Sequence, residues 1–173
     1  MDDFLEIIKL TIPGLLVLGA TIFLVKKYLE ANQRDKVYNL KANAQKEILP
    51  RRLQAYERMV LFLERISPNS LIMRVHKQGM SAKILQAELI KAIREEYEHN
   101  IAQQVYISPE GWNKAKTAKE EMIQLINISV TKVNNDSTGV ELAQKIFEMA
   151  TALGTLPTDS AIILLKKEIQ KYF

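Results

Sequence analysis

Cysteine is missing from all 173 residues. That excludes disulfides, thiolate nucleophiles and cysteine-ligated metal, and it suits a reducing compartment. Histidine is nearly missing too, with only His76 and His99. The six glycines stand singly, so the chain contains no Walker A loop, no Gly-rich dinucleotide loop and no G-x-S-x-G elbow. Serines 67, 70, 81, 108 and 137 fall where backbone capping and turns alone would place them. The single tryptophan, Trp112, follows Gly111 near an expected helix start, and core packing is expected of it more than a binding platform. No pair of segments alternates with the strand period, so no sheet is expected.

One long uncharged run is present. Leu10 to Val25 carries no charge, and Lys26 and Lys27 follow it directly. A cleaved signal peptide would have its positive charge before the run and a small-residue site after it. Here Asp2, Asp3 and Glu6 precede it against Lys9 alone, and Lys-Lys-Tyr-Leu follows. Counted from Phe4, the stretch reaches about 33 Å at 1.5 Å per residue, enough for a hydrocarbon core of about 30 Å. Pro13 and Gly14 are tolerated in a membrane helix and would be odd inside a soluble one. Residues 1–25 are therefore expected to be a transmembrane anchor, in preference to a core helix of a soluble domain.

Charge then sets orientation. Residues 26–52 hold eight Lys/Arg against three acids, whereas residues 53–173 are nearly neutral, fifteen against fourteen. Basic residues this close to the run, Lys26 and Lys27 first, place the N-terminus outside and the rest in the cytoplasm by the positive-inside rule. The pI near 9.2 thus reflects a juxtamembrane collar that would attract anionic lipid. No zinc, helix-turn-helix or RNP-like pattern stands beside it, so nucleic acid is not an expected partner.

Residues 26–49 lack Pro and Gly and are rich in strong helix formers. The membrane helix is expected to continue through them as a stalk, with a thin apolar stripe of Leu29, Val37, Leu40, Ala44 and Ile48, until Pro50 breaks it. A bundle domain of about five helices is expected over residues 50–173. The first carries Leu53, Tyr56, Met59, Val60, Phe62 and Leu63 and stops at Ser67-Pro68. Residues 67–81 are read as loop. Ser81 caps a long helix reaching Ile107, with Leu85, Leu89, Ile93, Tyr97, Ile101 and Val105 stepping by four. Ser108-Pro109 starts the next, with Trp112, Ala115, Ala118, Met122, Leu125, Ile126, Ser129 and Val133 inward. Thr138 and Glu141 form a capping-box pattern opening a helix that ends at Gly154. A last helix follows Pro157. The fold class expected is all-α, with antiparallel neighbours joined by short connections.

The stretches ILPRRLQAYERMVLFLERISPNSLIMRV and HKQGMSAKILQAELIKAIREEYEHNIAQQVYIS resemble a family of small, single-pass, membrane-anchored helical proteins of Bacteroidetes. The resemblance covers most of residues 48–130, and the N-terminal run is similar. It implies a bacterial setting, in which the anchor read above would lie in the inner membrane. It implies no activity and no site residues.

Glu96-x-x-His99 is half of a di-iron bundle's ligand set, and a complete site needs a second such motif and two more carboxylates. His76 has no carboxylate at that spacing, and Glu120 and Glu121 have no histidine. A solvated charged face is the expected reading, so neither catalysis nor a cofactor is expected. Around Tyr56, Met59, Phe62 and Met73 cluster Arg51, Arg52, Arg58, Arg65, Arg74 and His76, residue types enriched at interfaces, with an ordinary amphipathic helix bearing a basic outer face expected in preference to a binding surface. Arg51, Arg52, Tyr56 and Arg74 are the candidates for contact with a protein partner. The function expected is a membrane-anchored, non-catalytic scaffold or adaptor whose partner is another protein or a second copy of itself. The alternatives are a metal-dependent enzyme using Glu96 and His99, and a sensor of anionic lipid.

Overall fold

The computed structural model describes the backbone of residues 2–172, and side chains throughout these except 2–13, 34–35, 37–44 and 172. Six α-helices are present among the described residues: α1 (Asp2–Ile66), α2 (Pro68–Val75), α3 (Ala82–Asn100), α4 (Pro109–Thr131), α5 (Gly139–Ala152) and α6 (Pro157–Ile169). Short 3-10 turns cover Ile101–Val105 and Gln170–Tyr172. No strand occurs among the described residues, which makes the chain all-α; Ser81 and Thr138 form only an isolated bridge.

The chain divides into two units, residues 1–49 and 50–173. The first is helical, and its described side chains from Gly14 to Gln33 are exposed. Among the described residues no helix is long and apolar enough to cross a membrane. The expected transmembrane helix is corrected to that extent. Gly14–Val25 alone supplies about 18 Å of uncharged helix against the roughly 30 Å required. The expected span also drew on residues 1–13, whose side chains lie outside those described, as do Val37, Leu40 and Ala44 of the expected stripe. Pro50 does not break the helix, contrary to expectation. A proline removes one backbone bond and crowds the carbonyl four residues back. Here the strong helix formers on either side carry α1 through it.

The second unit is built on one core. Met59, Phe62, Leu63 and Ile66 of α1 are fully buried with Leu71 of α2, Leu85, Leu89 and Ile93 of α3, Met122 and Ile126 of α4, Leu142 and Ile146 of α5, and Leu165 of α6. Each such side chain contributes about 1.5–3 kcal/mol of transfer free energy. Residues 67–81 are not all loop. Ser67 occupies the N-cap position, Pro68 the first turn, and Leu71 and Ile72 anchor the eight-residue α2. The pair that stops α1 also starts α2, because proline's missing N–H costs little in a first turn, where an N–H has no intrahelical acceptor.

The capping expectations at Ser81, Ser108 and Thr138 match the structure. Ser81 Oγ accepts from Ile84 N–H at 3.3 Å and Ser108 Oγ from Gly111 N–H at 2.8 Å. Thr138 and Glu141 make a complete capping box. The caps of α3 and α5 are also joined, Ala82 N–H donating to Ser137 O at 2.9 Å and Gly139 N–H to Met80 O at 2.8 Å. Gly154 has φ +73°, the left-handed conformation that ends α5. The helix after Ser81 is shorter than expected. Asn100 turns its side-chain amide back onto Glu96 O at 2.8 Å, competing with the backbone ladder, and the chain tightens into a 3-10 turn that leaves Ile101 and Val105 exposed.

Candidate functional site: a buried carboxylate and an arginine clamp

Two polar clusters tie the second unit together. The first is internal. Tyr56 lies on the buried face of α1, Ser108 caps α4, and Glu168 sits in the last turn of α6. Tyr56 Oη donates to Glu168 Oε2 at 2.8 Å. Ser108 Oγ lies 2.6 Å from Oε1 and 2.7 Å from Oε2, donating to the carboxylate while accepting from Gly111 N–H. Ser108 N–H makes a longer contact of 3.4 Å to Tyr56 Oη. A carboxylate at the N-terminus of the 23-residue α4 also meets the positive end of that helix dipole. Burial, and then the hydrogen bond to Glu168, push the Tyr56 phenol above its ordinary range and keep it a proton donor. Gly111 completes the enclosure. A β-carbon there would stand 2.8 Å from Glu168 Oε2 and 2.9 Å from Leu165 Cδ2, so no larger residue fits without displacement.

Chemically, this arrangement is a lock. The serine proton goes to a carboxylate, its lone pair is occupied by a backbone N–H, and the phenol is a donor. Three segments far apart in sequence converge on one anion.

The second cluster is at the surface. Glu96 Oε1 of α3 accepts from Arg65 Nη2 of α1 and Arg74 Nη1 of α2, each at 2.7 Å. Arg65 Nε adds a contact of 2.8 Å, and Arg74 Nη2 donates to Arg65 O at 3.2 Å. Both arginines are more than a third exposed, so solvent screens the pair and the clamp orients three helix ends more than it stabilises them. Beside it runs an aromatic row. Phe62 and Tyr97 have ring centroids 5.9 Å apart, Tyr97 and half-buried Trp112 5.6 Å, and Lys119 Nζ stands 4.2 Å over Tyr97. Trp112 therefore packs against the core, as expected.

The sequence-selected residues do not form one patch. Tyr56 is buried, only 3% exposed, and bonded to Glu168, so it presents nothing to a partner. Arg52 is half-buried and donates from Nε to Tyr106 O at 3.2 Å. Arg51 is exposed, while Arg74 is exposed but held by Glu96 near the other end of this stretch of α1. Arg51 and Arg65 are fourteen residues apart on one helix, about 21 Å. Lys26 and Lys27 are exposed in the first unit. Glu96 of the Glu-x-x-His motif is committed to two guanidinium groups and His99 is exposed. Among the described residues no three His, Asp or Glu side chains could share a metal ion.

Sequence reasoning missed Glu168. Its signal was a carboxylate at an inward position of the α6 stripe, seven and three residues along from Ala161 and Leu165.

The second unit defines the class: an all-α bundle that closes on a buried carboxylate, entered through the long helix α1. The chain belongs to a family of unknown function (DUF7935), whose model matches residues 2–172. No curated protein and no solved structure matches it.

Proposed function

We propose that this protein is a membrane-tethered scaffold or adaptor, non-catalytic, that presents a helical bundle to a protein partner on the cytoplasmic side of a bacterial inner membrane. The observation that carries the reading is in the first unit. Eight large apolar residues between Leu15 and Val25 are each 49–69% exposed, with no single apolar stripe, and Lys26 and Lys27 follow. A helix apolar all round needs a non-aqueous surrounding, and lipid supplies it if residues 4–13 extend the run. The bundle's polar clusters support the non-catalytic part, since their groups are engaged with one another. Tethering would act by raising the effective concentration of whatever the bundle holds.

The test is alkaline-carbonate extraction of membranes from cells making the full chain, with a cytoplasm-only reporter fused after Phe173. Retention in the membrane pellet with an active reporter is expected. Release into the supernatant, or a silent reporter, overturns the tether and its orientation respectively.

A further inference from the structure

α1 and α6 leave an open groove of about 340 Å³ between them. Its apolar lining is Leu53, Val60 and Leu61 of α1 and Ile169 of α6, over the buried Leu165. Leu61 is 56% exposed at its edge, a large aliphatic group with no cover. The charges lining the groove are segregated by helix. Glu57 and Glu64 stand on the α1 side, two turns and about 10.5 Å apart, and Lys166 stands on the α6 side. None of the three has an ion-pair partner among the described residues.

From this pattern we infer that the groove is a self-association surface, taking a second copy of this chain about a two-fold axis so that the α1 rim of each copy faces the α6 rim of the other. An isologous interface must be complementary to itself, because each contact occurs twice with the roles exchanged. One acidic rim and one basic rim on either side of an apolar floor meet that condition. Rotation by 180° lays Glu57 and Glu64 of one copy against Lys166 of the next, twice, and buries Leu61 with the groove floor. A foreign partner would have to carry both signs in the same order, whereas a second copy supplies them without further assumption. The inference rests on the scaffold reading in that it names the protein partner that reading leaves open.

The experiment uses the full chain in mild detergent, with protein mass measured by light scattering over a dilution series. The wild type is expected to be a dimer. Glu57→Lys with Glu64→Lys sets like charges across both contacts, as does Lys166→Glu, and each variant alone is expected to dissociate at least about tenfold more readily. Mixed in equal amounts they are expected to re-form a dimer. One copy then offers a basic α1 rim to the other's acidic α6 rim, and its own Lys166 to the other's native Glu57 and Glu64. Repacking within one chain cannot produce that rescue. All three positions are exposed, and a cooperative unfolding transition with wild-type helical content shows that the variants fold. A monomeric wild type overturns the inference whatever the variants do, and points to a different chain in the groove. A dimer indifferent to both reversals, or two dissociated variants that stay apart when mixed, overturns it as well. None of these outcomes alters the membrane-extraction result, so the tether and the dimer fail separately.

Discussion

Replacing Glu168 by glutamine keeps the shape of the side chain and removes its charge. The tyrosine bond can persist to the amide oxygen, as a neutral bond in place of a charge-assisted one. The Ser108 bond cannot persist unchanged. The hydroxyl, 2.6 Å from Oε1 and 2.7 Å from Oε2, would face an amide N–H₂ group, itself a donor, at the first position and could donate only to the neutral oxygen it would share with Tyr56, while still accepting from Gly111 N–H. A hydrogen bond to a charged group contributes about 1.5–3 kcal/mol, and a carboxylate at a helix N-terminus up to about 1 kcal/mol more. Relief from desolvating a buried charge offsets part of that loss. Glu168→Gln is therefore expected to cost about 1.5–3 kcal/mol. Tyr56→Phe, which removes one donor only, should cost about 1–2 kcal/mol. The assay is denaturant unfolding followed by circular dichroism, read as a shift in midpoint at constant slope. Because the two residues share one bond, the double variant should lose less than the sum, with a coupling of at least about 0.5 kcal/mol. A Glu168→Gln protein within about 0.5 kcal/mol of wild type, or additive losses, would refute the view that the carboxylate locks α1, α4 and α6 together.

Gly111→Ala forces a methyl group against Glu168 and Leu165; overpacking of about 1–3 kcal/mol outweighs the gain in helix propensity of about 1 kcal/mol, so the thermal midpoint should fall. Thr158 Oγ1 is buried without a hydrogen-bond partner among the described residues, so the isosteric Thr158→Val should be neutral or stabilise by about 1 kcal/mol, and a clear loss would reveal a partner such as an internal water. The raised Tyr56 pKa means that the folded state holds this proton beyond the ordinary value of 10.0. The stabilisation it reflects is complete below pH 10 and is lost as pH rises through the folded value, so the stability difference between wild type and Tyr56→Phe should be flat to about pH 10 and shrink above it. Glu96→Gln loosens an exposed clamp and should cost no more than about 1 kcal/mol, less at high salt, measured by unfolding at two ionic strengths.

The helices of the bundle were legible because local rules decide them. Ser81, Ser108 and Thr138 cap through bonds made within three residues, and the rows Leu85–Leu89–Ile93 and Ala115–Ala118–Met122 bury the faces their spacing implies. What sequence could not show depended on neighbours. Pro50 looks like a breaker until the tolerance of a long helix on both sides is considered. α2 is too short for periodicity to register and exists because Leu71 and Ile72 find the core. Tyr56 read as an interface aromatic because its partner, Glu168, lies on another helix. Ser108 was assigned its backbone role, and nothing local announced the carboxylate beside it. The arginines that looked like one basic surface are split between a carbonyl, a clamp and open solvent, a partition set by what α2, α3 and the turn after α3 bring to α1.

Tyr56 and Glu168 meet across 112 intervening steps of chain. At about 5–20 residues per second, a ribosome makes Tyr56 some 6 to 22 s before the carboxylate that will accept its hydrogen bond. At the start of that interval the inward face of α1, with Met59, Phe62 and Leu63, has been synthesised before the helices that will cover it. The nascent chain thus carries a sticky, aromatic-bearing helix for seconds, an opening for chaperones and for premature contact with a neighbouring nascent chain.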